Sequence, residues 1–345
     1  MIIRGVKAMW RQTEQLLVLG YGFLFYIWAL VRNHKSCIVE EWDGERDLES
    51  ACRIAVFSHF DRYGIVHDYV YYYLQQLAGA GYTILFVSSA PKLSPEAVAI
   101  LKPLCCMIIR RKNVGYDFAA YKEGIARIPR LERLEALILA NDSVYGPFIP
   151  LHQVLDQADP EVSDVWSMTD SWQHSYHLQS YFLLFYRSAI VHSEFGRFWR
   201  SVHFVQSKAW VIRFYEVGLS KTLLAAGLSC RALFPYRKAM LMVLDFVRES
   251  GLLDKEKMGN WPEHKFIAEI YSIMSSNLPL NPTHFFWYHL IGRMGFPFLK
   301  RELLEKNPAR IPALPYWERE IKQVSDYDTD LIIRHLKRSL RNRSV

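Results

Sequence analysis

Apolar residues fall along this chain in two patterns, and the change from one to the other divides it. From residue 53 to about 150, short unbroken apolar runs alternate with stretches of helical period, and after Pro150 that alternation loosens. The runs at 54–57, 83–87, 106–109 and 137–140 lack polar alternation and predict strands buried on both faces. Between them, residues 67–78 and 117–126 have helical spacing. Ser94-Pro95-Glu96 reads as an N-cap, a proline at the first helical position and an acid in the first turn. Strands and helices alternating through short connections predict an α/β fold with a mostly parallel, doubly wound sheet. Residues 178–186 predict a further strand, antiparallel or at an edge, and 189–228 predict helix broken near Gly196 and Gly218. The stretch to 320, rich in proline and aromatics, predicts helices and loops packed on the sheet. Four regions follow: 1–48, 49–230, 231–320 and 321–345.

The two ends differ from the body. Residues 16–31 carry no charge and include Tyr21, Phe23, Phe25, Tyr26 and Trp28, a stretch slightly short of a membrane span and suited to an interfacial helix, a buried one, or a single N-terminal anchor that crosses. No small-residue cleavage site follows, unlike a secretory signal. Residues 331–343 set Leu331, Ile332, Leu336 and Leu340 near one face among Arg334, Lys337, Arg338, Arg341 and Arg343. This reads as a basic amphipathic helix for an acidic membrane surface, or as a solvated terminal helix. The net charge is +7 and this tail holds five cations with no acid, so the body is close to neutral. Such a distribution argues against a nucleic-acid groove. Five cysteines without a CxxC pair point to neither a disulfide framework nor a zinc ribbon, and to a reducing, cytoplasmic compartment.

Candidate chemistry sits where strands end. After the run at 137–140 come Asn141-Asp142-Ser143 and the turn Gly146-Pro147. Asp142 can offer oxygen to a hard divalent cation, and Asn141 and Ser143 can bond sugar hydroxyls or phosphate; an Asx-turn is the plainer reading. Ser58-His59-Phe60-Asp61 follows the first parallel strand, where His59 or Asp61 could meet a nucleotide's base or ribose, or Asp61 could cap the next helix. GxGxxG and GKS/T are absent, which argues against a dinucleotide site or a P-loop. Arg110-Arg111-Lys112-Asn113-Val114-Gly115-Tyr116-Asp117 closes the third strand with three cations fit to neutralise a diphosphate. Trp166 and Trp172 around Asp170, with His174, Tyr176, His177 and Gln179, read as a carbohydrate platform or as an aromatic core strand. His174 and His177 lack a third metal ligand nearby. Glu216, early in a helical stretch, is a carboxylate that could act as a general base or simply face solvent.

Taken in order, His59-Phe60-Asp61, Asn113 to Asp117, Asn141 to Pro147, Thr169-Asp170-Ser171, His177 to Phe182 and Tyr215 to Ser220 resemble the rhamnan synthesis protein F family, as do Asn281 to His284, Pro297 to Leu304 and Asn307-Pro308. The resemblance spans roughly residues 50–310. It implies a bacterial glycosyltransferase of GT-A-like fold, a rhamnosyltransferase of O-antigen or cell-wall rhamnan synthesis using dTDP-L-rhamnose or GDP-rhamnose. The acceptor would be a growing glycan or a lipid-linked one at the cytoplasmic face of the inner membrane, with other polysaccharide-assembly enzymes as partners. Carried onto this chain, it makes Asn113, Gly115 and Asp117 nucleotide-side residues, Asp142 the residue for Mg²⁺ or Mn²⁺ or for the diphosphate, and Glu216, or else Asp170, the base of an inverting transfer. Where such enzymes have Asp-x-Asp, only Asp142 is acidic here. A non-catalytic carbohydrate-binding or assembly subunit is the alternative.

Overall fold

The computed structural model describes residues 18–32, 36–249, 251, 262–312 and 314–340. Its strands are β1 (Ile38–Asp43), β2 (Arg53–His59), β3 (Thr83–Ser88), β4 (Cys105–Arg111), β5 (Ala136–Asn141), β6 (Val144–Tyr145), β7 (Val165–Ser167), β8 (Asp170–Ser171), β9 (His177–Leu178), β10 (Phe182–Tyr186), β11 (Cys230–Ala232) and β12 (Leu299–Lys300). Eight of them form one sheet in the order β1-β4-β3-β2-β5-β10-β7-β11. β4, β3, β2 and β5 run parallel, β11 is parallel to β7, and β1 and β10 are antiparallel to their neighbours. The α/β class and mostly parallel centre agree with the hydrophobic pattern.

That centre is apolar without alternation because both faces are covered. In β2, Ala55 and Phe57 enter the core beneath the helices Asp68–Gly79 and Pro95–Leu101, while Ile54 and Val56 enter the opposite core beneath Tyr116–Ile125 and Ser193–Ser201. Ser94 caps its helix by accepting from the Ala97 N–H at 3.2 Å. Gly124 lets its helix approach the sheet, since a Cβ there would lie 2.4 Å from Val56 Cγ1.

Some elements depart from the expectation. β10 is antiparallel but interior, between β5 and β7. Gly196 and Gly218 lie inside the helices Ser193–Ser201 and Val217–Ala225, and the break falls instead at 202–207. β1, β7 and β11 are added strands; β7 and β11 are three residues long, too short to show a period. β1 is an edge whose Glu40 and Glu41 reach Arg110 and Arg127 at 2.6 Å each.

The terminal segments pack on this body. Residues 18–32 form a helix held by buried Ala29 and by Tyr26 stacked on Trp210 at 4.7 Å, while Phe23, Leu24 and Val31 stay exposed. No helix among the described residues is long and apolar enough to cross a membrane. Residues 16 and 17 of the apolar stretch, and Arg341 and Arg343 of the tail, lie outside the described residues. In the helix Asp330–Ser339, Ile332 and His335 are buried and Arg334 pairs with Asp68 at 3.2 Å, so the apolar stripe expected to meet a membrane meets the protein instead.

Candidate functional site

From β2 the chain passes to β3 and then β4 on one side, and returns to place β5 on the other side of β2. The carboxyl ends of β2 and β5 therefore flank a topological switch point, where open α/β sheets leave a crevice. A cleft of about 450 Å³ opens there.

Its floor is the turn after β5. Asn141 Oδ1 accepts from the Ser143 N–H at 3.1 Å and its hydroxyl at 2.6 Å, while Asn141 Nδ2 donates to Asp117 Oδ2 at 2.9 Å. The Asx-turn thus exists and also aims a second carboxyl at the cleft. Asp117 stands in the first turn of Tyr116–Ile125; burial, and then the charge of Glu216, push its carboxyl up to about 6. Glu216 ends a π-helical stretch, Val211–Glu216, and accepts from the Ser180 N–H at 2.8 Å and its hydroxyl at 2.9 Å. Those donors fix the orientation of its carboxyl group.

The opposite wall comes from far along the chain. β12 pairs antiparallel with β6, Lys300 opposite Val144, and the Arg301 N–H bonds the Ser143 carbonyl at 3.0 Å. Gly146, at φ +115°, allows this approach, because a Cβ there would lie 2.3 Å from the Pro297 carbonyl oxygen. Arg301 then donates to Asp142 Oδ2 at 2.9 Å and to the Tyr69 hydroxyl at 2.7 Å. Lys300 lies over the Tyr181 ring at 3.8 Å and donates to Ser143 Oγ at 3.2 Å. Burial pulls its ammonium down to about 8, against the attraction of Glu216 and Asp117.

Of the residues singled out from sequence, Asn113, Asp117, Asn141, Asp142, Ser143 and Glu216 line this cleft. The others do not. His59 is buried below it, its Nδ1 on Ser88 Oγ at 3.0 Å and its ring stacked on Phe86. Asp61 organises the next loop, accepting from Tyr63 N–H at 2.8 Å and Ile65 N–H at 3.0 Å and facing His67 in a separate cavity of about 160 Å³. Burial pushes its carboxyl up, yet those bonds hold it well below the usual range. Arg110 is spent on Glu40 and on the Pro91 carbonyl. Arg111 is fully buried against Glu123, Ser89 and the Val114 carbonyl. The cationic run expected to meet a diphosphate is thus structural at both arginines. Gly115 serves the backbone: at φ +84° it is the N-cap of the helix, and its N–H bonds Gln206. Asp170 lies away from the cleft, accepting from the Tyr236 N–H at 2.6 Å, which corrects its assignment as an alternative base. In the expected sugar platform Trp166 is buried and Trp172 is exposed beside Tyr176; only Gln179 reaches the cleft.

The residues that spacing missed are Lys300 and Arg301. Their signal was two cations directly after an apolar run, Phe298-Leu299, like the cations after β4, but in a stretch without period.

A divalent cation fits this donor set poorly. Asp142 already carries the guanidinium of Arg301 on one oxygen, and Asp117 shares an oxygen with Asn141. Among the described residues no three His, Cys, Asp or Glu side chains converge on one point. Hard cations want several free oxygens, and a fixed cation beside the carboxylate opposes them.

Residues 84–250 match the Rhamnan synthesis protein F family, in agreement with the resemblance over that part of the chain; the motifs at 59–61 and beyond 281 lie outside the match. Virulence protein VirA of Vibrio anguillarum is 29% identical over 291 residues, covering 81% of this chain and 88% of that protein. Protein y4gN of Sinorhizobium fredii is 30% identical over 166 residues, 47% of this chain and 43% of that one. Among solved structures, a mannosyltransferase from Pyrobaculum calidifontis in complex with GDP-Man and Mn²⁺ aligns over 95% of this chain and 90% of its own, at 11% identity and a TM-score of 0.30.

Proposed function

We propose, from the premise that residues 84–250 match the Rhamnan synthesis protein F family, that this chain is a glycosyltransferase of polysaccharide synthesis. It moves rhamnose from a nucleotide donor, dTDP-L-rhamnose or GDP-rhamnose, to a growing glycan or lipid-linked acceptor. The observation that carries this reading is a division of roles in the switch-point cleft, where the carboxyls of Asp117 and Glu216 stand across from Lys300 and Arg301, with Asp142, Lys208, Glu302 and Glu305 also lining it.

Glycosyl transfer needs that division. An acceptor hydroxyl must lose a proton as it attacks, and a diphosphate must leave with its charge compensated. Glu216, oriented by Ser180, takes the proton; Asn113 and Asp117 face the nucleoside; the cationic wall faces the diphosphate. Attack from the side opposite the leaving group makes the transfer inverting, through a transition state with oxocarbenium character. The exposed apolar face of the 18–32 helix, with Lys337 and Arg338 exposed elsewhere on the surface, supports seating at the cytoplasmic face of an acidic membrane, where lipid-linked acceptors lie.

The test is donor turnover. Purified protein is given each nucleotide-rhamnose and common UDP-sugars with a rhamnolipid acceptor, and nucleotide diphosphate release is followed. Release from one donor that falls about 10²- to 10⁴-fold in Glu216→Gln, with donor affinity kept, is the expected result. A donor that binds but never turns over in any combination would replace the enzyme by a non-catalytic binding subunit.

A further inference from the structure

We infer that the Lys300 ammonium, flanked by the Arg301 guanidinium, is a diphosphate-binding site that does the work of a divalent cation, so that donor binding by this chain is independent of metal. The inference rests on the transferase reading above and names what compensates the leaving group.

Three observations converge on it. First, the two cations are held by backbone, not by flexible stems alone: the β12–β6 ladder and the Arg301 N–H to Ser143 carbonyl bond fix them over the turn after β5. Second, their charge is unequally spent. Arg301 is engaged by Asp142 at 2.9 Å and Glu305 at 3.5 Å, whereas Lys300 has no carboxylate within 4.0 Å among the described residues. Its one hydrogen bond is to a hydroxyl, and an ammonium carries three donors. A cation kept on the cleft wall with donors to spare is matched by an anionic oxygen. Third, the place where a metal would sit is already positive. The guanidinium lies on Asp142, the single acid of Asn141-Asp142-Ser143, and Lys300 contacts Ser143 beside it.

In the transfer, the bond between the anomeric carbon and the β-phosphate oxygen breaks and its electron pair leaves on that oxygen, beside Lys300. The acceptor oxygen forms the new bond to the anomeric carbon, and its proton passes to Glu216. The nucleotide sugar and the acceptor alcohol supply every atom.

The experiment is calorimetric binding of UDP, GDP and dTDP to the full chain, in EDTA and again in Mg²⁺ or Mn²⁺, with the matching monophosphates beside them. The variants are Lys300→Met, which keeps the stem over Tyr181 and removes the charge, and Lys300→Arg, which keeps the charge. One diphosphate is expected to bind within about threefold equally with and without metal. Lys300→Met should weaken it about 10- to 100-fold, the monophosphate less, and Lys300→Arg should restore most of the affinity. Binding that requires Mg²⁺ or Mn²⁺, or that ignores Lys300→Met, overturns the inference and leaves the transferase reading standing. If no nucleotide binds under any condition, both fall. Should Lys300→Met not fold, the EDTA comparison on the unaltered chain and Lys300→Arg decide.

Discussion

Arg111 is the residue whose replacement separates a structural from a substrate-binding reading of the Arg110-Arg111-Lys112 run. Its guanidinium is fully buried, and its partner Glu123 is 4% exposed. Besides Arg111, that carboxylate accepts, among the described residues, from the Ser36 hydroxyl at 2.9 Å and the Cys37 N–H. Arg111→Met therefore strands a buried negative charge and unpairs the Val114 carbonyl. Breaking a buried pair from one side costs about 3–5 kcal/mol. Against a total stability of about 5–15 kcal/mol, and at about 1.4 °C per kcal/mol for a chain of 345 residues with an unfolding entropy of about 2.1 cal/mol/K per residue, the melting temperature should fall by roughly 4–7 °C. Arg111→Met/Glu123→Leu should regain most of the loss, since both charges leave together. Urea unfolding followed by far-ultraviolet circular dichroism measures the stability, and nucleotide calorimetry well below the transition measures the site. The affinity of the folded protein should be unchanged. A variant of ordinary stability that no longer binds diphosphate would refute the buried-pair reasoning and return the run to the phosphate.

Gly115→Ala should destabilise by about 2–4 kcal/mol in the same unfolding assay, because the residue sits at φ +84° and its new Cβ would lie 2.7 Å from Ala119 Cβ and 2.9 Å from Phe204 Cα; unchanged stability would mean the helix start is not confined as described. The Asp117 carboxyl is raised to about 6, so its contribution to stability is full below pH about 4, the unfolded value, and is gone once the pH has risen past about 6. Asp117→Asn should then be more stable than the parent by about 1–2 kcal/mol at pH 7.5, with Glu216 and Lys300 the charged groups facing it, and equal near pH 4; parallel stability curves from pH 4 to pH 8 would contradict the shift. In flotation with vesicles rich in anionic lipid, Phe23→Ser/Leu24→Ser should lower bound protein about tenfold, and equal partitioning would remove the 18–32 helix from the membrane contact.

How much could be read from residues depended on distance along the chain. The strand at Ala136–Asn141 and its turn were visible because a buried parallel strand is an unbroken apolar run whose end is marked by polarity. Asp117 and Glu216 reach the cleft from helices next to it in topology, so strand ends and helix starts were enough to point at them. The error at Arg110 and Arg111 has a definite cause. Three cations at a strand end look unpaired when their acids are elsewhere: Glu40 sits on an edge strand that charge makes look like loop, and Glu123 lies one helix further on. Asp170 misled in the same way, since the Tyr236 N–H that satisfies it is 66 residues away. Lys300 and Arg301 were missed because a two-residue strand has no period to read.

The ladder between β6 and β12 has a consequence for how the protein comes into being. Lys300 and the Ser143 it contacts are 157 residues apart, so during synthesis the acidic side of the crevice emerges long before its cationic side. A nascent or truncated product ending near residue 250 would carry Asp117, Asp142 and Glu216 with Lys208 but without Lys300 and Arg301, the two cations seated against the turn after β5. On the transferase reading, residues 84–250 therefore hold only part of the site, which is not complete before the last sixth of the chain has been made.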